Sequence, residues 1–182
     1  MNKLLIFLFV SLLTLTANAQ SLDGTWVADE EFHELLSNFI DDENTEVGFG
    51  LLIDDNEINI IVTISVSVEE MSVDCAVVIP GIYSRTGDWV KCQFSNEDVD
   101  FKVLEVESDD DEIQALLNDE ESHDAVISLI EGMLKENLES SFSDISEITD
   151  IFNVFTVTNQ SSDTFTIETE EGAEISFISV DD

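Results

Sequence analysis

The chain predicts a mainly β fold: an antiparallel up-and-down barrel of about eight or nine strands, with a helical insertion near residues 109–142. Three observations carry this. Between Glu57 and Val68, Ile58, Ile60, Val62, Ile64, Val66 and Val68 share one face, while Asn59, Thr63, Ser65 and Ser67 share the other. Only Ile61 breaks the alternation, and a period of two over such a length means a strand with one face in a core and one in water. Parallel strands are covered on both faces and read as continuous apolar runs, so this alternation points to antiparallel pairing. Second, similar segments follow one another with turn residues between them, which implies a meander. Third, the pattern changes to helical spacing after Asp109 and returns to strands near Ile151.

In chain order, residues 1–19 read as a signal peptide. Lys3 supplies the positive start, Leu4 to Leu15 the apolar run, and Ala17-Asn18-Ala19 the small residues before cleavage at Gln20. About a dozen apolar residues fall short of the roughly 20 a membrane helix needs. The first cysteine is Cys75, so no lipid-bearing cysteine begins the mature chain. The expectation is a secreted or periplasmic protein, residues 20–182 forming one domain, with no membrane insertion after signal cleavage.

Strands are then expected at Thr25–Ala28, Glu46–Asp54, Glu57–Val68, Met71–Ser84, Trp89–Phe94 and Val99–Val106, and later at Ile151–Thr158, Thr164–Thr169 and Glu174–Val180. Asp55-Asn56, Thr86-Gly87-Asp88, Ser95-Asn96-Glu97, Asn159–Asp163 and Glu170-Glu171-Gly172 supply the turns. Phe32, Leu35, Leu36 and Phe39 have helical spacing, so Glu30–Ile40 reads as a short helix. In the insertion, Val126, Leu129, Ile130, Met133, Leu134 and Leu138 form a helical stripe expected to cover a barrel mouth or flank. Asp109 to Glu112 suit a helix N-terminus and Lys135 a C-terminal turn.

Charge removes several functions. The 182 residues carry 42 acids and 5 bases, a net charge of -37. Nucleic acid and anionic membrane surfaces require a cationic face that so few bases cannot build. A hydrophobic content of 43% equally excludes a wholly disordered acidic tail.

Cys75 and Cys92 lie in a chain expected to be exported, where oxidation is permitted. A hairpin turning at Arg85–Asp88 sets Cys92 opposite residues near Pro80, some 17 Å of strand from Cys75. Either a kink at Pro80-Gly81 brings the two together in a disulfide, or both remain buried thiols.

Gly24-Thr25-Trp26, at the start of the first strand, resembles the first signature of the lipocalins (calycin-type barrels). There the Trp closes one end of an eight-stranded barrel around a small-ligand cavity. Nearly all of the mature chain is similar to secreted bacterial lipocalin-like proteins. The shared features are the Gly-Thr-Trp, the Thr/Ser-alternating hairpin at residues 57–70, Pro80-Gly81-Ile82-Tyr83, the Gly87-Asp88 turn and the acidic helical insertion at 109–142. Two features of the pattern are missing: no Lys or Arg follows Lys135 to pack over the Trp from the last strand, and Tyr83, the only tyrosine, is not in a Thr-Asp-Tyr signature.

With those features missing, ligand binding does not carry over from the resemblance, and an apolar ligand site inside the barrel rests on the apolar supply alone. Trp26, Ile60, Val62, Ile64, Trp89, Phe101 and Phe165 are its candidate lining, drawn from an apolar supply that also includes Phe49, Leu51, Phe152, Phe155, Ile167 and Phe177. A barrel of this size is either filled by such side chains or leaves one small cavity. No catalytic or cofactor motif stands out. His33-Glu34 has Ser37 where a zinc helix needs its second His, and His123 is distant in sequence. Three acidic clusters (Asp41-Asp42-Glu43-Asn44, Asp54-Asp55-Asn56-Glu57 and Asp109-Asp110-Asp111-Glu112) lack the alternate ligands and central Gly of a calcium loop. The expected function is non-catalytic binding of a small apolar ligand or a protein partner, without a cofactor or resident metal. The alternative is an acidic surface protein with calcium- or salt-dependent stability.

Overall fold

A computed structural model describes residues 21–32, 45–68, 71–95, 98–141 and 145–180. The predicted signal peptide, the His33-Glu34 pair, the Asp41–Asn44 cluster and all but the first three residues of the predicted Glu30–Ile40 helix lie outside them; residues 30–32 are helical.

Nine strands follow the expected alternation: β1 (Gly24–Ala28), β2 (Thr45–Asp54), β3 (Glu57–Val68), β4 (Met71–Thr86), β5 (Trp89–Phe94), β6 (Asp100–Ser108), β7 (Val154–Gln160), β8 (Thr164–Thr169) and β9 (Glu174–Ser179). All pairings are antiparallel. Eight strands close a barrel in the order β1-β2-β3-β4-β5-β7-β8-β9, with β9 returning to β1. Local turn chemistry sets the hairpins. Asp55 takes φ +54° between β2 and β3, and Gly87 takes φ +64° between the paired Thr86 and Trp89.

β6 departs from the simple meander. β4 is 16 residues long and serves two neighbours on one edge: Met71–Val78 pairs with β6, and Gly81–Thr86 pairs with β5. The fork falls at Pro80, which has no N–H to give to a ladder. A Cβ on the adjacent Gly81 would sit 2.6 Å from Phe94 Cδ1, so glycine lets β5 approach there. β7, not β6, continues the barrel beside β5. β6 is left as a spur on the outside edge of β4.

Three helices lie between β6 and β7: α1 (Asp111–Leu117), α2 (Glu120–Ser141) and α3 (Ile145–Phe152). Asp110 caps α1, its carboxylate accepting from the Glu112 and Ile113 N–H groups at 2.8 and 3.0 Å. α1 and α2 pack on each other and on β6, whereas α3 packs on β5 and β7. The barrel end is thus covered by α3, through buried Phe152 and Thr149 and half-buried Ile148 and Ile151. Ile151 and Phe152, expected to begin a strand, belong to this helix.

The described part of the α2 stripe is not buried as expected; the side chains of Leu134 and Leu138 lie outside the described residues. Leu129 and Met133 are 64% and 59% exposed, and Val126 and Ile130 are only half-buried. Glu131, from the face expected to be polar, is half-buried and accepts a hydrogen bond from the Val103 N–H at 3.3 Å. The helix guards a sheet edge, and a single strand offers no apolar face broad enough to bury the stripe.

Candidate functional site

The barrel interior is the site the apolar lining predicts, and five of the seven proposed residues meet there. Ile60, Val62 and Ile64 project inward from β3, Trp26 from β1 and Phe165 from β8, each at most 4% exposed. Phe101, on the β6 spur, packs half-buried against this core. Trp89 does not belong to it. Its side chain is 56% exposed, while Val90 and Cys92 of the same strand are buried. Trp89 shares its side of β5 with Lys91 and Gln93, so the strand's parity already placed it outside.

Aromatic rings fill the axis from one end to the other. Trp26 meets Phe165 edge-on at 4.7 Å, and Phe165 stacks on Phe177 at 4.8 Å. Phe177 lies 6.4 Å from both Phe49 and Phe152, which stack on each other at 5.0 Å. Phe32 closes the column 5.1 Å from Phe49. Leu51, Ile60, Ile79, Val90, Phe152, Phe165, Ile167 and Phe177 have no accessible surface at all, so none borders a void wide enough for a water molecule. Each close aromatic pair contributes about 0.5–1.5 kcal/mol beyond its burial.

The Trp26 end is closed by its own chemistry. Trp26 Nε1 donates to the Leu22 carbonyl at 2.7 Å, and Leu22 is buried beneath it. Near this end Arg85 donates to Gln160 Oε1 at 3.0 Å, and Gln160 Nε2 donates to the Ser21 carbonyl at 2.9 Å. Arg85 belongs to β4 and also donates to the Gly87 carbonyl at 2.8 Å.

Both thiols are free and buried. Cys92 pairs with Tyr83 and Cys75 with Val103, so eight residues of β4 separate the two positions, about 26 Å of extended chain. Burial pushes the Cys92 thiol from 9.0 up to about 12. Burial, with Asp74 adding to it, pushes Cys75 from 9.0 up to about 11. Neither is a nucleophile at neutral pH. Tyr83 is likewise raised, first by burial and then by the charge of Asp23.

Two hollows among the described residues lie outside the barrel. A cleft of about 640 Å³ runs between the β3–β4 tip and α1, bordered by Met71, Ser72, Glu105, Glu107, Asp109 and Gln114. A shallower one of about 390 Å³ lies over Pro80, Ile82 and Gln93. Among the described residues, no three His, Cys, Asp or Glu side chains converge as metal ligands.

What the alternation does not advertise is the outer wall. Val27, Leu52, Ile178 and Val180 project outward, and 36, 39, 52 and 56% of their surfaces are accessible. Breaks in alternation, such as Ile61 within β3, were the available signal.

No protein-family profile matches the chain, and no curated protein is significantly similar to it. The eight-stranded antiparallel barrel is compatible with lipocalin-like architecture, and this likeness concerns architecture alone.

Proposed function

We propose that the protein is a non-catalytic, exported binding protein of lipocalin-like build that recognises a protein partner on its outer surface. The observation that carries this reading is the filled interior, where the aromatic column occupies the volume a small apolar ligand would need. An eight-stranded barrel has room either for its own side chains or for one small ligand. Its wall is also the reverse of a membrane barrel, with apolar side chains inward and Thr, Ser and Asn outward on β3. The Lys3, Leu4–Leu15 and Ala17–Ala19 pattern supports export, and the burial of both thiols is compatible with an oxidising compartment.

The test is uptake of neutral apolar probes. Benzene in a thermal-shift assay and Nile red by fluorescence are expected to show no saturable binding to the wild-type protein. Phe165→Ala, which opens a dry void in the column, is expected to gain benzene binding. Saturable uptake by the wild type would overturn the filled-barrel reading and restore an interior ligand.

A further inference from the structure

Strand register draws the exposed apolar residues into one patch on the wall formed by β3, β2, β1 and β9. Ile61 lies opposite Gly50, Gly50 opposite Val27, and Val27 opposite Ile178. In the next outward row towards the Trp26 end, Asn59 pairs with Leu52 and Leu52 with Thr25. Val180 joins this row, its N–H donating to the Thr25 carbonyl at 3.0 Å. Gly50 makes a dent at the centre, because a Cβ there would lie 2.7 Å from the Trp26 carbonyl oxygen. The patch is therefore apolar, shallow and backed by buried Trp26, Leu51, Ile60 and Phe177.

Its surroundings have one sign. Asp54, Asp55 and Glu57 sit at the β2–β3 turn on one side, and Asp29, Glu30 and Glu31 follow β1 on the other. None of the chain's five bases is in β9, β1, β2 or β3; Arg85, Lys91 and Lys102 are on β4, β5 and β6. An uncharged centre between two carboxylate rims is complementary to a segment with apolar residues in its middle and cations at its ends. A second copy of this chain would oppose its own carboxylates to the same rims, a like-charge juxtaposition.

We propose that this wall is a docking surface for a basic protein segment, with Val27, Leu52, Ile178 and Val180 receiving its apolar residues and the flanking carboxylates its lysines or arginines. The proposal rests on the reading of the chain as a surface-binding protein, and adds the place and the chemistry of the partner. Apolar contact supplies adhesion, while the rims hasten encounter and set orientation.

The probe is a labelled synthetic peptide with a Val-Thr-Leu-Thr-Val centre and two lysines at each end, read by fluorescence anisotropy on the purified protein. Binding is expected, with at least a tenfold loss for Ile178→Thr or Leu52→Thr. Threonine keeps strand propensity, and unchanged circular dichroism confirms the fold. Trp89→Thr, which removes an exposed aromatic from β5, is expected to leave binding unchanged. Four results would overturn the proposal: no binding; equal binding by a peptide with a Gly-Ser centre, which would be charge attraction alone; binding indifferent to Ile178→Thr and Leu52→Thr; or a dimer in sedimentation that dissociates on Ile178→Thr. The failures are separable. Misplaced peptide binding overturns this location, whereas uptake of benzene or Nile red by the wild type overturns the reading beneath it.

Discussion

The closed barrel and the β6–α1–α2 spur both carry many apolar side chains and bury them very differently. Inside the barrel, Phe177 meets Phe49 of β2, Phe165 of β8 and Phe152 of α3, and Phe152, Phe165 and Phe177 are buried to 0% exposure. On the spur, Leu104, Leu116, Leu129 and Met133 keep about half or more of their surface in water, at 60, 48, 64 and 59%. α1 has no buried residue. Closure makes the difference. A sheet curled on itself surrounds each inward side chain, whereas a helix beside one strand edge covers only what that strand presents. The barrel should therefore melt as one unit, with the spur opening locally at lower free energy.

The largest expected effect tests the column. Phe177→Ala should destabilise by about 3–5 kcal/mol in urea unfolding, since it deletes the ring that links the Trp26 half to the Phe49–Phe152 pair. A loss below about 1 kcal/mol would mean that the interior relaxes freely and that the contrast with the spur is overstated.

Alkali tests the same core more gently. Both thiols have folded pKa values above the ordinary 9.0, at about 11 for Cys75 and about 12 for Cys92, so above pH 9 the folded state holds protons that the unfolded state releases. Stability then falls with rising pH. The contribution is intact below pH 9 and is lost progressively up to about pH 11 to 12. Denaturant midpoints measured across that window should decline less steeply in Cys92→Ala than in the wild type. Parallel slopes would show that Cys92 does not carry its share.

The smallest effects sharpen the spur. Leu129→Asp should change stability by no more than about 0.5 kcal/mol, because that side chain is already in water. Glu131→Ala should cost more, about 0.5–1.5 kcal/mol, by freeing the Val103 N–H at the β6 edge. Hydrogen exchange at Val103 should quicken in the second variant alone. The opposite ranking would put the leucine stripe back against the protein.

Much of the wall was legible in the sequence. The β2–β3 hairpin, the β4–β5 turn at Gly87-Asp88 and strands β8 and β9 lie within a residue or so of their expected bounds, because alternation and turn chemistry are local properties. Trp89 was misplaced in the interior lining, although Lys91 and Gln93 mark its side of the strand as solvent. The direction of α2 was not legible. Its stripe records only that one face is apolar, and what lies opposite is set by residues distant in sequence.

By itself, then, the sequence determined most of the strands and their inward faces, which depend on neighbours two to four residues apart, together with the acidic charge and the apolar supply, which are composition. Tertiary structure alone decided which strand closes the barrel. β5 has one free edge, and β7 takes it, bringing Phe155 and Val157 inward, while β6, with its register broken opposite Asp74 and Cys75, stays on β4. The same long-range competition decided that the interior fills with phenylalanine and that Val27, Leu52 and Ile178, separated by up to 151 positions in the chain, come to share one outer wall. Pairing between such distant strands is selected by the packing of the whole barrel, and no local periodicity encodes it.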